Sequence, residues 1–228
     1  MKIGVISDVH SNSVALDAVL SQPDIQSADT IYCVGDLVGY YSRPNEVVER
    51  IREERIPSVM GNHDSAVVES TPSSFSLHAK RAADWNRRSL TERNLEFLDA
   101  LPLKIREFVN DRDLLVVHGS PKNPLSEYIF KEDVDELFLD FYFDVPPEVI
   151  ILGHTHHPFA KVVRDTLVVN PGSVGQPRDR DPRASYGIID LDSLNCQIHR
   201  VEYDIEKIAT DTSQELPKAL SDRLYEGR

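Results

Sequence analysis

The sequence predicts an α/β protein with two sheet regions. Two observations predict it. Short β-rich apolar runs alternate with helical patterns through the first half, which favours parallel pairing. After residue 158 short runs follow one another with only turn residues between them. Lys2–Ile6 is the first strand. Val14, Leu16, Val19 and Leu20 then recur at helical spacing. Thr30–Val34 is a second strand. Pro44 opens a helix that carries Val47, Val48 and Ile51 on one face. Pro57–Met60 reads as a third strand. Leu77–Leu101 reads as two helices split near Thr91, a suitable N-cap. Leu114–Val117 and Val149–Leu152 are short buried strands. Between them, Lys131–Phe143 reads as one helix with Val134, Leu137, Phe138 and Phe141 on one side. Ala160–Val163, Leu167–Val169, Tyr186–Asp190 and Cys196–Val201 follow. Asp165-Thr166 and Asp192-Ser193 stand at hairpin turns, so a mostly antiparallel second sheet is expected. Asp204 to Arg228 is polar and helical at the end.

The 228 residues are expected to form one domain, 1–228, with no repeat or long linker. Hydrophobic residues at 40% and charged residues at 28% exclude global disorder. Lys+Arg number 25 and Asp+Glu 38, a formal charge of −13. That balance repels nucleic-acid backbones at long range, so no stable nucleic-acid complex is expected. A nucleotide enzyme with a local positive site remains allowed. No apolar run approaches the roughly 20 residues of a membrane span. Asp8 and His10 come too early for a signal peptide. Cys33 and Cys196 lie far apart in apolar surroundings and read as reduced core thiols. The cytoplasm is the expected compartment. Oligomeric state is not readable.

The chemistry sits in five short motifs: Asp8-Val9-His10, Gly35-Asp36, Gly61-Asn62-His63-Asp64, His118-Gly119 and Gly153-His154-Thr155-His156. Each follows a predicted strand. In an open α/β sheet the loops beyond the strands' carboxyl ends converge, so the motifs are expected to meet. Taken singly, each has a bland explanation, such as an Asx turn at Asn62 or a hydrogen-bonded core histidine at His118. Together those explanations require several coincidences in one order. Asp8 and Asp36 offer carboxylate oxygens and Asn62 an amide oxygen. His10, His118, His154 and His156 offer imidazole nitrogens. Mixed O/N donors without thiolate suit Mn, Fe, Zn, Co or Ni. The donors are too many for one ion and fit two, about 3.5–4 Å apart, with one carboxylate bridging. In extended chain His154 and His156 would point the same way and His157 the other, so His157 is left out.

The ordered set Asp-x-His, Gly-Asp, Gly-Asn-His-Asp, His-Gly and Gly-His-x-His resembles the signature of the calcineurin-like metallophosphoesterase superfamily. Asn170-Pro171-Gly172-Ser173 is similar to the small bacterial and archaeal phosphodiesterase branch. The resemblance implies a two-sheet α/β sandwich flanked by helices. It implies one metal on Asp8, His10, Asp36 and His156, and a second on Asp36, Asn62, His118 and His154, with Asp36 bridging. It makes His63 the catalytic acid and Asp64 the residue that orients it. Two divalent ions are expected, manganese first, with iron, zinc, nickel or cobalt as alternatives.

Two divalent ions, two carboxylates and a bridging hydroxide leave about +1 at the centre, which attracts a phosphate despite the acidic chain. The expected reaction is in-line attack of that hydroxide on phosphorus, with His63 protonating the leaving oxygen. Asn62, His63 and Arg178 are the candidate substrate contacts. For Arg178, Arg180 and Arg183 the competing reading is pairing with Asp179 and Asp181 on a solvated loop. Trp85 is expected to pack a helix, and Phe138, Phe141, Tyr142 and Phe143 to bury a helix face. The substrate is expected to be a small nucleotide-like phosphodiester. The alternatives are a phosphatase of monoesters, dinucleoside polyphosphates or phosphoprotein, and a non-catalytic scaffold. After Gly35-Asp36 the chain reads Leu37-Val38-Gly39-Tyr40, not the Asp-Arg-Gly of Ser/Thr protein phosphatases, and the scaffold relative lacks the histidine at 63.

Overall fold

The computed structural model describes residues 1–228. Nine strands form two sheets: β1 (Lys2–Ile6), β2 (Thr30–Cys33), β3 (Lys104–Val109), β4 (Arg112–Val117), β5 (Val149–Ile151), β6 (Phe159–Val163), β7 (Thr166–Asn170), β8 (Ala184–Asp190) and β9 (Asn195–Val201). The order is β2-β1-β8-β9 in the first sheet and β3-β4-β5-β7-β6 in the second. Both are mixed. β1 runs parallel to β2 and antiparallel to β8, while β5 runs parallel to both β4 and β7. The expected second antiparallel sheet is therefore corrected. The β6–β7 hairpin extends the β4–β5 pair, and the β8–β9 hairpin extends β1. The five residues of β7 are all buried, which suits an interior position that two hairpin strands on their own would not have.

Period-two alternation divides each strand between two cores. Val5, Val116 and Ile151 point between the sheets and meet Leu167 and Val169 there. Ile6 points to the other face, against Leu16, Val19 and Val48 of the helices α1 (Ser13–Leu20) and α2 (Pro44–Glu53). Leu115, Val117 and Ile150 face outward under α6 (Glu136–Tyr142). The helices α3 (Asn62–Val68), α4 (Leu77–Ser89) and α5 (Glu92–Asp99) lie between β2 and β3 in the chain. The fold is thus two packed sheets flanked by helices. At the carboxyl end, α7 (Ile205–Glu215) and α8 (Lys218–Asp222) pack on Tyr40, Tyr41, Ala79 and Ala82. No helix is long and apolar enough to cross a membrane.

Thr91 caps α5, accepting from the Asn94 amide, as expected. Three local expectations are corrected. Pro57–Met60 is not a strand: it touches β2 through one bridge, Cys33 to Ser58, and proline cannot donate to a ladder. Lys131–Phe143 is not one helix. A 3₁₀ turn at Lys131–Asp133 ends at Val134, and α6 starts afresh with Asp135 as its cap. The restart turns Leu137 and Phe141 outward, 74% and 61% exposed, while Val134, Phe138 and Leu139 stay buried. The β6–β7 turn is Arg164-Asp165, one residue earlier than expected, with Arg164 in the left-handed region. Cys33 and Cys196 are free, buried thiols, and Trp85 packs beside α7 and α8.

Candidate metal centre

The five motifs meet at one place, but not at the end of one sheet. Asp8-Val9-His10 and Gly35-Asp36 leave β1 and β2 of the first sheet. His118 and Gly153–His156 leave β4 and β5 of the second. Gly61-Asn62-His63-Asp64 arrives beside β2 and opens α3. The loops are tied to one another through backbone. The Asp8 amide donates to the Gly35 carbonyl at 3.0 Å, and the His10 amide donates to the Asp36 carbonyl at 2.9 Å. Gly61 has no room for a side chain, since a Cβ there would stand 2.1 Å from Asp36 Oδ1.

Asp8, His10, Asp36, His154 and His156 all have positive φ, between 51° and 65°. Left-handed backbone is unfavourable for residues with a Cβ and collects at functional sites. His154 and His156 therefore converge through two left-handed residues, not through an extended strand as expected. His157 is exposed and lies against Phe130.

The donor atoms of Asp8, His10, Asp36 and His156 lie within 4.8 Å of one another, as do those of Asp36, His118 and His154. Asp36 belongs to both clusters. Its Oδ2 lies 3.6 Å from His10 Nε2 and 3.4 Å from His118 Nε2. Asn62 joins the second cluster, its Oδ1 standing 3.1 Å from His118 Nε2. Three histidines are oriented through their other nitrogen. Nδ1 donates to the Val38 carbonyl from His10 (3.1 Å), to the Val34 carbonyl from His118 (2.7 Å) and to the Gln176 carbonyl from His156 (2.5 Å). That aims each Nε2 into the clusters, with a bare lone pair wherever the ring is neutral. His10 Nε2 and His156 Nε2 face each other at 3.2 Å, and His118 Nε2 faces His154 Nδ1 at 3.2 Å. Such pairs repel unless a cation or proton lies between them. Asp8 Oδ1 and His154 Nε2 are buried with no hydrogen-bond partner. The residues fit divalent ions.

Electrostatics agree with this. Burial opposes the charge on Asp8, yet His156 and His118 hold its carboxyl well below the usual range. Asp36 is held down in the same way, mainly by His118 and His63. Burial also opposes the charge on His118, but Asp36 outweighs it and raises the imidazole to about 9. A proton on His118 thus occupies the electrostatic role of a cation. Burial, with His118 nearby, lowers His154 to about 3, and burial lowers His10 and His156 as well.

His63 lies beside the first cluster, its ring centroid 4.9 Å from that of His10. Its amide donates to Asp36 Oδ1 at 2.8 Å. Tyr40 and Phe75 hold the ring at 4.5 and 4.6 Å, and Gly39 passes under Nδ1 where a Cβ would clash at 2.6 Å. Asp64 does not orient His63 as expected. Its carboxylate accepts from the Val38 amide (3.1 Å) and the Gly61 amide (2.9 Å), because it sits at the third position of α3 and reaches back to the cap. Asp64 braces the loops, and burial together with Asp36 raises it to about 7. Burial lowers His63 to about 4, so the imidazole is neutral at pH 7 in the free site.

Arg178 reaches the same region. It donates to Gln176 Oε1 at 2.8 Å and the Tyr40 hydroxyl at 3.3 Å and has no carboxylate partner. Arg183 pairs with Asp181 as for a solvated loop, whereas Asp179 pairs with Arg200 of β9 in a part-buried contact and not with Arg178 or Arg180. Sequence reasoning missed Tyr40, Phe75, Tyr128 and Arg223. Tyr128 stacks on His154 at 3.9 Å, and Arg223, from the last turn of the chain, lies 5.5 Å from the Tyr40 ring centroid. Tyr40 adjoins the Gly35-Asp36 motif and carried that much signal; the others lie in loops or the terminus without a motif.

Residues 1–194 match the calcineurin-like phosphoesterase superfamily domain. An uncharacterized protein of Methanocaldococcus jannaschii is 39% identical, over 99% of this chain and 98% of its own. The crystal structure of a metallophosphoesterase from Sphaerobacter thermophilus superposes with a TM-score of 0.84 at 37% identity, covering 100% of this chain and 99% of that one. The phosphodiesterase YfcE of Escherichia coli is 27% identical over 86% of this chain and 90% of its own. The chain belongs to the calcineurin-like phosphoesterase superfamily. It is a metal-dependent phosphoric ester hydrolase of the small bacterial and archaeal branch.

Proposed function

We propose that the chain hydrolyses the phosphodiester bond of a small nucleotide-like substrate at a centre of two divalent ions. The observation that carries this reading is Asp36, whose carboxylate is common to both donor clusters. Asp8, His10, Asp36 and His156 would hold one ion. Asp36, Asn62, His118 and His154 would hold the other. Bound there, the ions supply Lewis acidity toward a phosphoryl oxygen and lower the pKa of a coordinated water. Manganese is the first candidate for an O/N donor set without thiolate.

The chain's own residues do the rest. The Nδ1 bonds of His10, His118 and His156 fix the donor atoms before substrate arrives, so little reorganisation is required. Arg178 brings an unpaired guanidinium to the phosphoryl oxygens. His63 is the proton donor. It is neutral in the free site, and an anionic phosphoryl group beside it favours the imidazolium, so His63 takes up a proton from solvent as the substrate binds. As the bond from phosphorus to the leaving oxygen breaks, that proton passes to the oxygen. Overall, diester and water give monoester and alcohol. The name of the YfcE relative favours diesters.

The test compares bis(4-nitrophenyl) phosphate with 4-nitrophenyl phosphate, on protein stripped of metal and reconstituted with Mn²⁺. Diester turnover should dominate and vanish on chelation. Dominant monoester turnover would overturn the diester assignment.

A further inference from the structure

A cleft of about 450 Å³ adjoins the second donor cluster, with Asn62 and His154 in its lining. The loop between α3 and α4 supplies one wall, with Phe75. The segment after β4 supplies the other, with Tyr128. The volume is ordinary for a small-molecule site. The cavities lined by Trp85 and by Phe97 touch no donor residue.

The lining is selective by its chemistry. It contains no Lys, Arg, Asp or Glu. A second phosphate would find no cation there, and an ammonium no anion. Ser65 and Ser74 offer hydroxyls that both donate and accept, and Ser126, whose hydroxyl donates to Asn123 Oδ1 at 2.8 Å, offers an acceptor. Phe75 packs at a tilt against His63 at 4.6 Å, and Tyr128 stacks on His154 at 3.9 Å. Each leans on a residue of the candidate centre, and Tyr128 remains 51% exposed. A large half-exposed aromatic beside a reacting centre is a surface for a flat partner.

We infer that this cleft takes the nucleoside portion of the substrate, its base stacking against Phe75 and Tyr128 and its polar edges meeting the serines. The inference rests on the phosphodiesterase reading and adds the position and the uncharged character of the group attached to phosphorus. Phe75 and Tyr128 are the specificity-determining residues.

The experiment measures kcat/KM for thymidine 5′-(4-nitrophenyl phosphate) and methyl 4-nitrophenyl phosphate in Mn²⁺. Both release the same nitrophenolate and differ in the group the cleft would receive. The wild-type ratio should favour the thymidine ester at least about fivefold, the low end of base–aromatic stacking. Phe75→Ala and Tyr128→Ala should bring the ratio toward one, whatever they do to the common rate. Ser126→Trp, at an exposed lining position that does not endanger folding, should fill the cleft and do the same. A wild-type ratio near one, or a ratio the three variants leave unmoved, overturns the cleft assignment while diester turnover stands. Turnover of neither ester by the metal-loaded wild type overturns the phosphodiesterase reading and this inference with it.

Discussion

The two donor clusters share Asp36 but are built differently. The Asp8–His10–Asp36–His156 cluster is sealed. All its side chains are buried, and both of its imidazoles are anchored on backbone carbonyls. The Asp36–Asn62–His118–His154 cluster is open on one side. Only His118 is anchored through its ring, Asn62 is half-buried, and His154 Nε2 has no partner. The sealed cluster lies against His63 and Tyr40, the open one against the cleft. One half of the centre is therefore rigid, and the other half faces whatever enters. A shared carboxylate lets the rigid half hold the adaptable half in register.

If that comparison is right, the largest loss comes from the shared residue. Asp36→Asn keeps the shape and removes the charge both clusters use. Elemental analysis should show both ions lost or weakened, and kcat/KM should fall about 1000-fold or more, since metal catalysis is worth several kcal/mol. An unchanged content of two ions would break the comparison. Substituting one cluster at a time sharpens it: His156→Ala should empty the sealed position, and His154→Ala should weaken the open one alone.

Next comes His63, the proposed proton donor. His63→Ala should retain metal and lose about 100-fold with poor leaving groups, the usual scale of general-acid effects. Nitrophenolate needs little protonation and should suffer less. Equal losses across leaving groups of widely different pKa would remove His63 from that role. A smaller effect belongs to Arg178. Arg178→Ala should raise KM about tenfold, the worth of one charged hydrogen bond, with little change in metal content. Loss of metal in that variant would reassign Arg178 from substrate to the frame of the centre.

Much of this was legible in the sequence, because the types of donor side chain and their order are local facts. Asp8, His10, Asp36, Asn62, His118, His154 and His156 do converge, since each follows or adjoins a strand end. What was not legible is what depends on tertiary context. The sheet membership of β6–β9 follows from which edge was free, not from their own residues. β3 was missed because Lys104, Arg106 and Glu107 break its apolar pattern, as an edge strand permits. The left-handed φ values at the donor residues have no side-chain signature. The partner of Asp64 was misread because a carboxylate next to His63 in sequence faces backbone amides in space.

The smallest predicted effect concerns the metal-free protein and pH. His63, His154, His10 and His156 have imidazoles lowered by burial, to about 4 for His63 and about 3 for His154. Between about pH 4 and 6.5 the unfolded chain binds protons on His63 and His154 and the folded chain does not, and His10 and His156 act in the same direction. Stability rises with pH wherever the unfolded state holds more protons, so acidification from pH 7 to 5 should destabilise the apoprotein. Asp64, raised to about 7, and His118, raised to about 9, have the opposite sign, because the folded state holds their protons more tightly. The lowered imidazoles outnumber them, and the net should be a fall of several degrees in the thermal midpoint, at roughly 2–4 °C per kcal/mol for a chain of this size. Calorimetry on the chelated protein at pH 7 and 5 reads it directly. His154→Gln should reduce the fall, since it removes one buried neutral imidazole from the open cluster. His118→Gln should enlarge it, because that substitution removes a group that gains protons on folding. A midpoint that rises on acidification would mean that the protons Asp64 and His118 gain on folding outweigh those the buried imidazoles lose.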